Sequence, residues 1–131
     1  MCLYTEKRAK RAKHDIVVYK TLLLNSEEKN WMGLYMYNMY KFPVGELIVN
    51  KEFIGSINKY KQFKLIEGGY FHAFTNKEKA ITLKKLNYDV SPFCGHVIKT
   101  VECIIPKNAL YYTDGEACAS RRLIVTEKEV D

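Results

Sequence analysis

The chain has 131 residues and a mass of 15.3 kDa, and 47% of its residues are hydrophobic and 27% charged. This apolar content excludes a disordered tail, and the lack of a run of about 18 uncharged apolar residues excludes a membrane-spanning helix. The 13% of aromatic residues allow a core to form without disulfides or a structural metal. The length therefore predicts one globular domain.

The formal net charge of +6 belongs entirely to the first half of the chain. Residues 1–64 carry 12 basic and 6 acidic side chains, whereas residues 65–131 carry nine of each. The densest basic run precedes the first apolar segment and consists of Lys7, Arg8, Lys10, Arg11 and Lys13. Such a run repels itself and attracts polyanions. We expect residues 1–14 to form a basic N-terminal arm and residues 15–131 to form a single α+β domain.

The first half of the chain contains three predicted strands. Segment 16–24 is rich in β-branched and apolar residues and ends at Asn25-Ser26, which favours a buried strand followed by a turn. The aromatic and Met-rich segment 31–40 is a second strand candidate. Pro43 and Gly45 then interrupt the chain, and a short strand is predicted at 46–49. Residues 50–64 are expected to form a loop and an edge strand.

A helix is predicted after a strand at 70–74. Thr75 and Glu78 fit a capping box, in which the threonine hydroxyl accepts from the amide of residue 78 and Glu78 reaches back to the amide of Thr75. The helix is expected from Asn76 to about Leu86. Three apolar residues spaced three apart would form its buried side, as in an amphipathic surface helix: Ala80, Leu83 and Leu86.

The last third of the chain predicts further strands. Segment 96–105 is rich in β-branched residues, and its alternate positions form two sets of residues, one for each face of a strand. Shorter strands are expected at 109–113 and 123–126. Asp114-Gly115 is typical of a tight turn. About seven strands and one helix predict an α+β fold: a single small domain, mostly antiparallel β-sheet, with one capped amphipathic helix packed on it.

Metal and cofactor sites are not expected. Cys94 and His96 supply two closely spaced possible ligands, but no second pair completes a tetrahedral set among the remaining candidates His14, His72, Cys103 and Cys118. The four cysteines form no CxxC pair, and no phosphate-binding glycine loop or dinucleotide fingerprint is present. Without a signal-peptide pattern, we expect a reducing, cytoplasmic location.

His72 is the candidate general acid or base if the protein is an enzyme, because its ordinary pKa lies near neutrality. Possible partners for an enzyme acting on a nucleotide or RNA are the tyrosines, Glu102, Ser120, Arg121 and Arg122. A lone histidine flanked by aromatics on a strand is more often structural. We therefore favour a non-enzymatic protein, to which we assign no catalytic residue. If the protein is an enzyme, His72 is the catalytic residue.

Two segments combine features suited to nucleic acid. The first is the basic run of the arm; the second places cations beside aromatic rings that can stack on bases, at Lys59, Tyr60, Lys61, Phe63 and Lys64. The alternative is a flexible arm together with an edge strand whose lysines discourage aggregation. We expect contact with RNA, DNA or a nucleoprotein.

The aromatic segment 31–40 also has two interpretations. Its residues are types enriched at protein interfaces, which makes Trp31, Tyr35, Tyr37 and Tyr40 candidate interface residues, but the same types fill cores. Because both faces of an extended segment would be apolar, a partner chain covering one face is the second interpretation. A homodimeric structural module, in which this strand pairs with its own copy, is the corresponding alternative.

Three stretches carry a resemblance to known sequences: MCLYTEKRAKRAKHDIVVYK, GGYFHAFTNKEKA and VECIIPKNALYYTDGEACASRRLIV. They resemble a group of small uncharacterised proteins from phages and other mobile elements of Bacteroidetes-type bacteria. Members share a short leader, a VYK strand, a glycine before a histidine-bearing strand, a helix, and a C-x-I-P-K strand end followed by a tyrosine pair. The resemblance implies an accessory role and brings no site residues with it.

These observations together favour a binding protein. Small accessory proteins of such elements often act by blocking host defence complexes, which is an argument by analogy. We expect a non-enzymatic inhibitor of a host defence nucleoprotein, similar in role to an anti-CRISPR protein. Its basic first half would face RNA or an RNA-binding channel, and its aromatic segment would face protein.

Overall fold

The computed structural model of the chain describes residues 3–5, 7–25, 30–33, 41–42, 44–45, 47–49, 64–66, 71–87 and 97–130. Within them the first strands are β1 (Leu3–Thr5), β2 (Lys10–Arg11), β3 (Ile16–Asn25), β4 (Asn30–Gly33), β5 (Lys41–Phe42), β6 (Leu47–Val49) and β7 (Lys64–Ile66). They are followed by β8 (Phe71–Phe74), α1 (Lys77–Asn87), β9 (Val97–Ile105), β10 (Leu110–Asp114), β11 (Ala117–Ser120) and β12 (Arg122–Glu129).

One large antiparallel sheet dominates the fold. Its main path runs β2-β10-β11-β8-β3-β9-β12-β6, and β4 and β5 extend it beside the far end of β3. β1 and β7 form a separate antiparallel pair. The longest pairing joins β3 and β9 over nine residues, from Ile16↔Ile105 to Leu24↔Val97. The predicted α+β class, mostly antiparallel sheet with a short helix, is confirmed.

The sheet rolls around one of its faces. Arg121 alone joins β11 to β12, although β8, β3 and β9 lie between these two strands in the sheet. One residue spans at most about 3.6 Å, so the ends of β11 and β12 must be neighbours. The amide of Arg122 accordingly donates to Ser120 Oγ at 3.2 Å. The enclosed face contains the core.

We call this enclosed side the core face. Most of the buried apolar residues lie on it, at alternate positions along the strands, because successive side chains of a strand point to opposite faces. The buried set includes Val18, Leu22, Phe71, Ala73, Val101, Cys103, Ile105, Cys118, Leu123 and Val125. The predicted alternation of segment 96–105 is confirmed, since Val101, Cys103 and Ile105 all lie in this core.

We call the opposite side the helix face, because α1 packs there against β3, β8 and β9. Ala80 of the helix is completely buried. Thr21 of β3 donates from Oγ1 to the carbonyl oxygen of Ala80 at 2.5 Å, and its Oγ1 lies 2.9 Å from Thr100 Oγ1 of β9. A buried pair of hydroxyls therefore fixes the position of the helix on the sheet.

The predicted helix is confirmed to within one residue at each end, but the predicted capping box is wrong. The amide of Glu78 is bound by Asn76 Oδ1 at 2.7 Å, which makes Asn76 the N-cap. The Thr75 hydroxyl instead donates to the carbonyl oxygen of Glu116, as does the Thr75 amide. Thr75 is held by the β10–β11 turn, and Asn76 caps the helix in its place.

Two tight turns use residues with positive φ. The β10–β11 hairpin closes with Gly115-Glu116, where Gly115 has φ 63°, as the first central position of a type II′ turn requires. The turn predicted at Asp114-Gly115 is confirmed. Between β9 and β10, Asn108 has φ 75° and the amide of Ala109 donates to Pro106 O at 3.1 Å, which is typical of a type II turn.

Several strands differ from the sequence predictions. The strand predicted at 123–126 extends over Arg122–Glu129, and β11 was not predicted because its Ala and Ser residues have low β-propensity. Of the strand predicted at 31–40, the described part is β4, Asn30–Gly33; residues 34–40 lie outside the described residues. In the part of the chain described, no helix is long and apolar enough to cross a membrane.

Candidate functional site

The basic N-terminal run lies against the turn that joins β9 to β10. Ala12 is 1% exposed, its amide donates to Ala109 O and its carbonyl oxygen accepts from the amide of Asn108, both at 2.8 Å. The two residues before it form β2 and pair with Leu110 and Tyr111. The end of the predicted arm is therefore hydrogen-bonded to the sheet on its backbone.

Two side-chain hydrogen bonds hold the same junction. Arg11 Nη1 donates to the carbonyl oxygen of Asn108 at 2.8 Å, and the amide of Lys107 donates to Asp15 Oδ1 at 2.8 Å. Both bonds join the arm to the β9–β10 turn, from either side of Ala12. These bonds hold the backbone from Arg11 to Asp15 in place. They therefore limit the directions in which the cationic side chains of this stretch can point.

The cations of this region project from the edge of the sheet. Lys7 is paired with Asp114 at 3.3 Å, so its charge is partly balanced. Neighbouring residues of a strand point to opposite faces, which places Lys10 beside Tyr111 on the core side and Arg11 beside Leu110 on the helix side. We call the exposed cations of this region the basic edge: Arg8, Lys10, Arg11, Lys13 and Lys107.

The second predicted nucleic-acid segment is only partly described. Lys59, Tyr60, Lys61 and Phe63 lie outside the described residues. Lys64 opens β7 and its backbone pairs with Thr5 of β1, two residues before Lys7. The structure thus brings the end of this segment close in space to the start of the basic run.

The aromatic segment is described only at its start. Trp31 pairs with Leu24 on one side and with Phe42 on the other, so the backbone edges of β4 are occupied at this position by β3 and β5. Tyr35, Tyr37 and Tyr40 lie outside the described residues. Pairing of Trp31 with a second copy of the chain would have to displace one of these two strands.

His72 lies on the helix face of β8, opposite Ala119 of β11. Its Nδ1 is buried and has no hydrogen-bond partner in the described structure. Burial, together with the nearby ammonium of Lys20, lowers the pKa of His72 to about 4. At neutral pH the imidazole is uncharged and enclosed.

The candidate catalytic partners of His72 are engaged elsewhere. Ser120 pairs with Phe71, so it points to the core face, opposite to His72, and its hydroxyl donates to Leu110 O at 2.9 Å. The Glu102 carboxylate is contacted by Lys128 Nζ at 3.7 Å. Neither Ser120 nor Glu102 is therefore placed to exchange a proton with His72.

Lys20 is the residue that the sequence reasoning missed. It lies on the core face of β3 between Val18 and Leu22, and its Nζ donates to His72 O at 2.5 Å. Burial lowers the pKa of Lys20, while the thiols of Cys103 and Cys118 oppose that change. The sequence signal was a single cation among the apolar residues of segment 16–24.

The described cysteines are buried thiols. Cys103 and Cys118 are free, and burial raises the pKa of each to about 12, against the opposing effect of Lys20. A thiol with so high a pKa is a poor nucleophile and metal ligand. Among the described residues, no three His, Cys, Asp or Glu side chains converge as metal ligands; Cys94 and His96 lie outside that part of the chain.

Comparison with known proteins yields no relative. No protein-family model, no curated protein sequence and no solved structure matches this chain.

Proposed function

We propose that the protein acts by binding, as an accessory protein of a phage or mobile element that inhibits a host defence nucleoprotein in the manner of an anti-CRISPR protein. In this proposal the basic edge contacts RNA. The observation that carries the proposal is the attachment of the arm to the β9–β10 turn by Ala12, Arg11 and Asp15.

Attachment matters because a binding surface that is already ordered loses less conformational entropy on binding. The stretch of six residues from Lys10 to Asp15 is held by four hydrogen bonds, two of them made by side chains, and by two strand pairings. Its cations also project from both faces of the edge strand. Such an arrangement suits a polyanion that runs along the sheet edge, where phosphates can be met on two sides.

Lysines at a sheet edge also prevent edge-to-edge aggregation, which is the alternative explanation of β2. That role needs charge at the edge but does not need the side-chain bonds of Arg11 and Asp15 to the neighbouring turn. It also does not account for Lys107, which lies in the turn outside the strands. The two roles differ in their prediction for RNA binding.

The direct test is fluorescence anisotropy with labelled single-stranded RNA over a range of salt concentrations. Four phosphate contacts would give a slope of log Kd against log salt of roughly 3. Replacing Lys10 and Lys13 by Gln should weaken binding and lower this slope by about 1.4, because two phosphate contacts are lost. Arg11 is kept in this variant because it holds the turn.

The matched control replaces Lys77 and Lys79 by Gln, which removes the same charge from exposed positions on α1. This variant should bind RNA like the wild type. Equal weakening by both variants would indicate a general charge effect, and a salt slope near zero would show that the basic edge does not contact phosphate. Either result would overturn the RNA contact.

The inhibitory role is tested in a bacterial host whose RNA-guided nuclease restricts a targeted plasmid. Expression of the wild-type protein should raise plasmid survival, and the Lys10 and Lys13 variant should do so less. His72→Ala should retain the full effect if the protein is not an enzyme. Loss of the effect in a folded His72→Ala protein would instead favour the enzymatic alternative.

A further inference from the structure

An exposed leucine adjoins the basic edge on the helix face of the sheet. Leu110, the first residue of β10, is 51% exposed, and its cross-strand partner is Arg11 of β2. The Cβ atoms of directly opposite residues lie about 5 Å apart, and their side chains point to the same face. The Arg11 guanidinium is held by its bond to Asn108 O at 2.8 Å. An apolar side chain therefore lies beside an anchored cation.

Ser120 links the other side of Leu110 to a second arginine. The Ser120 hydroxyl donates to Leu110 O at 2.9 Å and accepts from the amide of Arg122 at 3.2 Å. One oxygen atom thus joins the start of β10 to the start of β12. Leu123 is buried in the core, so Arg122 before it points to the helix face, where it is exposed. Leu110 and Arg122 therefore project from the same face of neighbouring strand ends.

We call Arg11, Leu110 and Arg122 the Arg–Leu–Arg patch. The patch shares Arg11 with the basic edge, so the two surfaces are continuous. Neighbouring strands lie about 4.8 Å apart, which makes the patch about 10–15 Å wide. Isolated exposed apolar residues are ordinary, but Leu110 differs from such a residue because a cation lies on each side of it.

Single-stranded nucleic acid has the chemistry that matches this arrangement. Its unpaired bases offer flat apolar faces between successive phosphates, whereas a duplex encloses those faces in its base stack. Guanidinium groups bind phosphates through bidentate hydrogen bonds and also stack on flat rings. A surface that contacted only phosphates would need no apolar residue between its cations.

We infer that the Arg–Leu–Arg patch selects single-stranded over duplex RNA, with an unpaired base against Leu110 and the flanking phosphates on Arg11 and Arg122. This inference rests on the proposed RNA contact of the basic edge and specifies the class of RNA that the edge binds. The backbone of Leu110 is already held by β2 and by Ser120, so contact with a base orders little additional chain.

A comparison of two RNA probes tests the selectivity. Fluorescence anisotropy measures binding of a labelled oligouridylate of about 12 nucleotides and of an RNA duplex of the same length. The oligouridylate should bind at least about tenfold more tightly, whereas phosphate contacts alone would favour the duplex, because its charge density is higher. Equal or tighter binding of the duplex would overturn the inference and leave the RNA contact in place. Binding of neither probe would overturn both.

Removal of the apolar side chain tests Leu110. Leu110→Ser should weaken oligouridylate binding about fivefold, because an apolar contact is lost, and should leave the salt slope unchanged, because no charge is altered. The matched control is Val17→Ser, since Val17 is 44% exposed on the helix face of β3 but lies outside the patch. This control should bind like the wild type. Equal weakening by the two variants would overturn the role of Leu110.

An aromatic residue at the same position should have the opposite effect. Leu110→Tyr should tighten oligouridylate binding about fivefold and leave duplex binding unchanged, because an aromatic ring stacks on an unpaired base. A gain in affinity cannot result from a loss of folding. Oligouridylate binding that is unchanged or weaker in Leu110→Tyr would overturn the contact between Leu110 and a base.

The second arginine is tested by its charge. Arg122→Gln should lower the slope of log Kd against log salt for the oligouridylate by about 0.7, because one phosphate contact is lost. Lys77→Gln removes the same charge from an exposed position on α1 and should leave the slope unchanged. A slope that falls equally in both variants, or in neither, would overturn the phosphate contact of Arg122.

Discussion

Lys20 donates a hydrogen bond from Nζ to the carbonyl oxygen of His72 at 2.5 Å, which holds a lysine ammonium inside the rolled sheet. Burial lowers the pKa of Lys20 in the folded protein, because the charged form loses its hydration. The same ammonium lowers the pKa of His72. Burial therefore lowers the pKa of two titratable groups on neighbouring strands.

Replacing Lys20 by Met should change the pH dependence of stability. In the wild type, the unfolded chain binds more protons at Lys20 than the folded chain, so this group makes stability rise with pH up to the pKa of the unfolded lysine, about 10.4. Lys20→Met lacks this contribution. Urea unfolding at neutral pH and near pH 10 should show the wild type gaining stability relative to the variant.

Both proteins in that comparison keep Cys103 and Cys118, so the ionisation of these thiols largely cancels in the difference. The variant also removes the donor to His72 O, which shifts its stability by a similar amount at both pH values. A difference in unfolding free energy that does not change with pH would contradict burial of the ammonium.

His72 should make the protein sensitive to mild acid. Its pKa is lowered to about 4 in the folded state, whereas the unfolded imidazole has a pKa of about 6.5. The stabilising contribution is complete above pH 6.5 and is lost as the pH falls towards 4, by about 3 kcal/mol in total. Urea titrations at pH 7.5 and 4.5 should show this loss in the wild type and a smaller loss in His72→Gln.

The glutamine variant is the suitable comparison because it stays neutral over the whole range and keeps a polar side chain at the site. Carboxylates also titrate below pH 5, and they do so in both proteins. Parallel pH profiles for the two proteins would show that the imidazole is accessible to solvent when charged.

The hydroxyl pair under the helix should behave as a coupled unit. Thr21→Val removes the donor to Ala80 O and leaves the Thr100 hydroxyl without this neighbour, in a region where both threonines are buried. We expect a loss of about 1–3 kcal/mol in the free energy of unfolding. The double variant with Thr100→Val should lose less than the sum of the two single variants.

Chemical denaturation of the four proteins of this cycle measures the coupling. Valine matches the shape of threonine, so the cavity contribution is small. Additive losses would mean that the two hydroxyls act separately and that the helix is held by apolar contacts alone.

The β9–β10 turn should control the attachment of the arm. Asn108 has φ 75°, a conformation that costs a β-branched residue about 1–2 kcal/mol and costs glycine nothing. Asn108→Val should therefore lower the unfolding free energy by this amount, and Asn108→Gly should be close to neutral. Hydrogen exchange should show faster exchange of the Ala12 amide in the valine variant, because its acceptor Ala109 O is displaced.

If the basic edge binds RNA, the same valine variant should also bind RNA more weakly, although it changes no charge. Unaltered exchange at Ala12 would show that the arm does not depend on the turn. Unaltered RNA affinity with faster exchange would show that the order of the arm does not contribute to binding.

The sequence by itself determined the elements that depend on local pattern. The β-branched residues of segments 16–24 and 96–105 located β3 and β9. The helix was located by a local capping signal, although the residue that caps it is Asn76 and not Thr75. Asp114-Gly115 identified a hairpin, because glycine is the residue that a positive φ at that position requires. Propensity and periodicity act over a few residues, so they are readable in the chain.

Only the tertiary structure decided which distant residues meet. Arg11 and Asn108, 97 residues apart, join the arm to the sheet, and Thr75 is used by Glu116 and not by the helix. Lys20 acquires its partner because β3 and β8 are neighbours in the sheet. Val17, Ile104, Ile124 and Leu47 lie side by side because β3, β9, β12 and β6 share a register. Strand order and register are set by packing of the whole sheet, which no short segment of sequence contains.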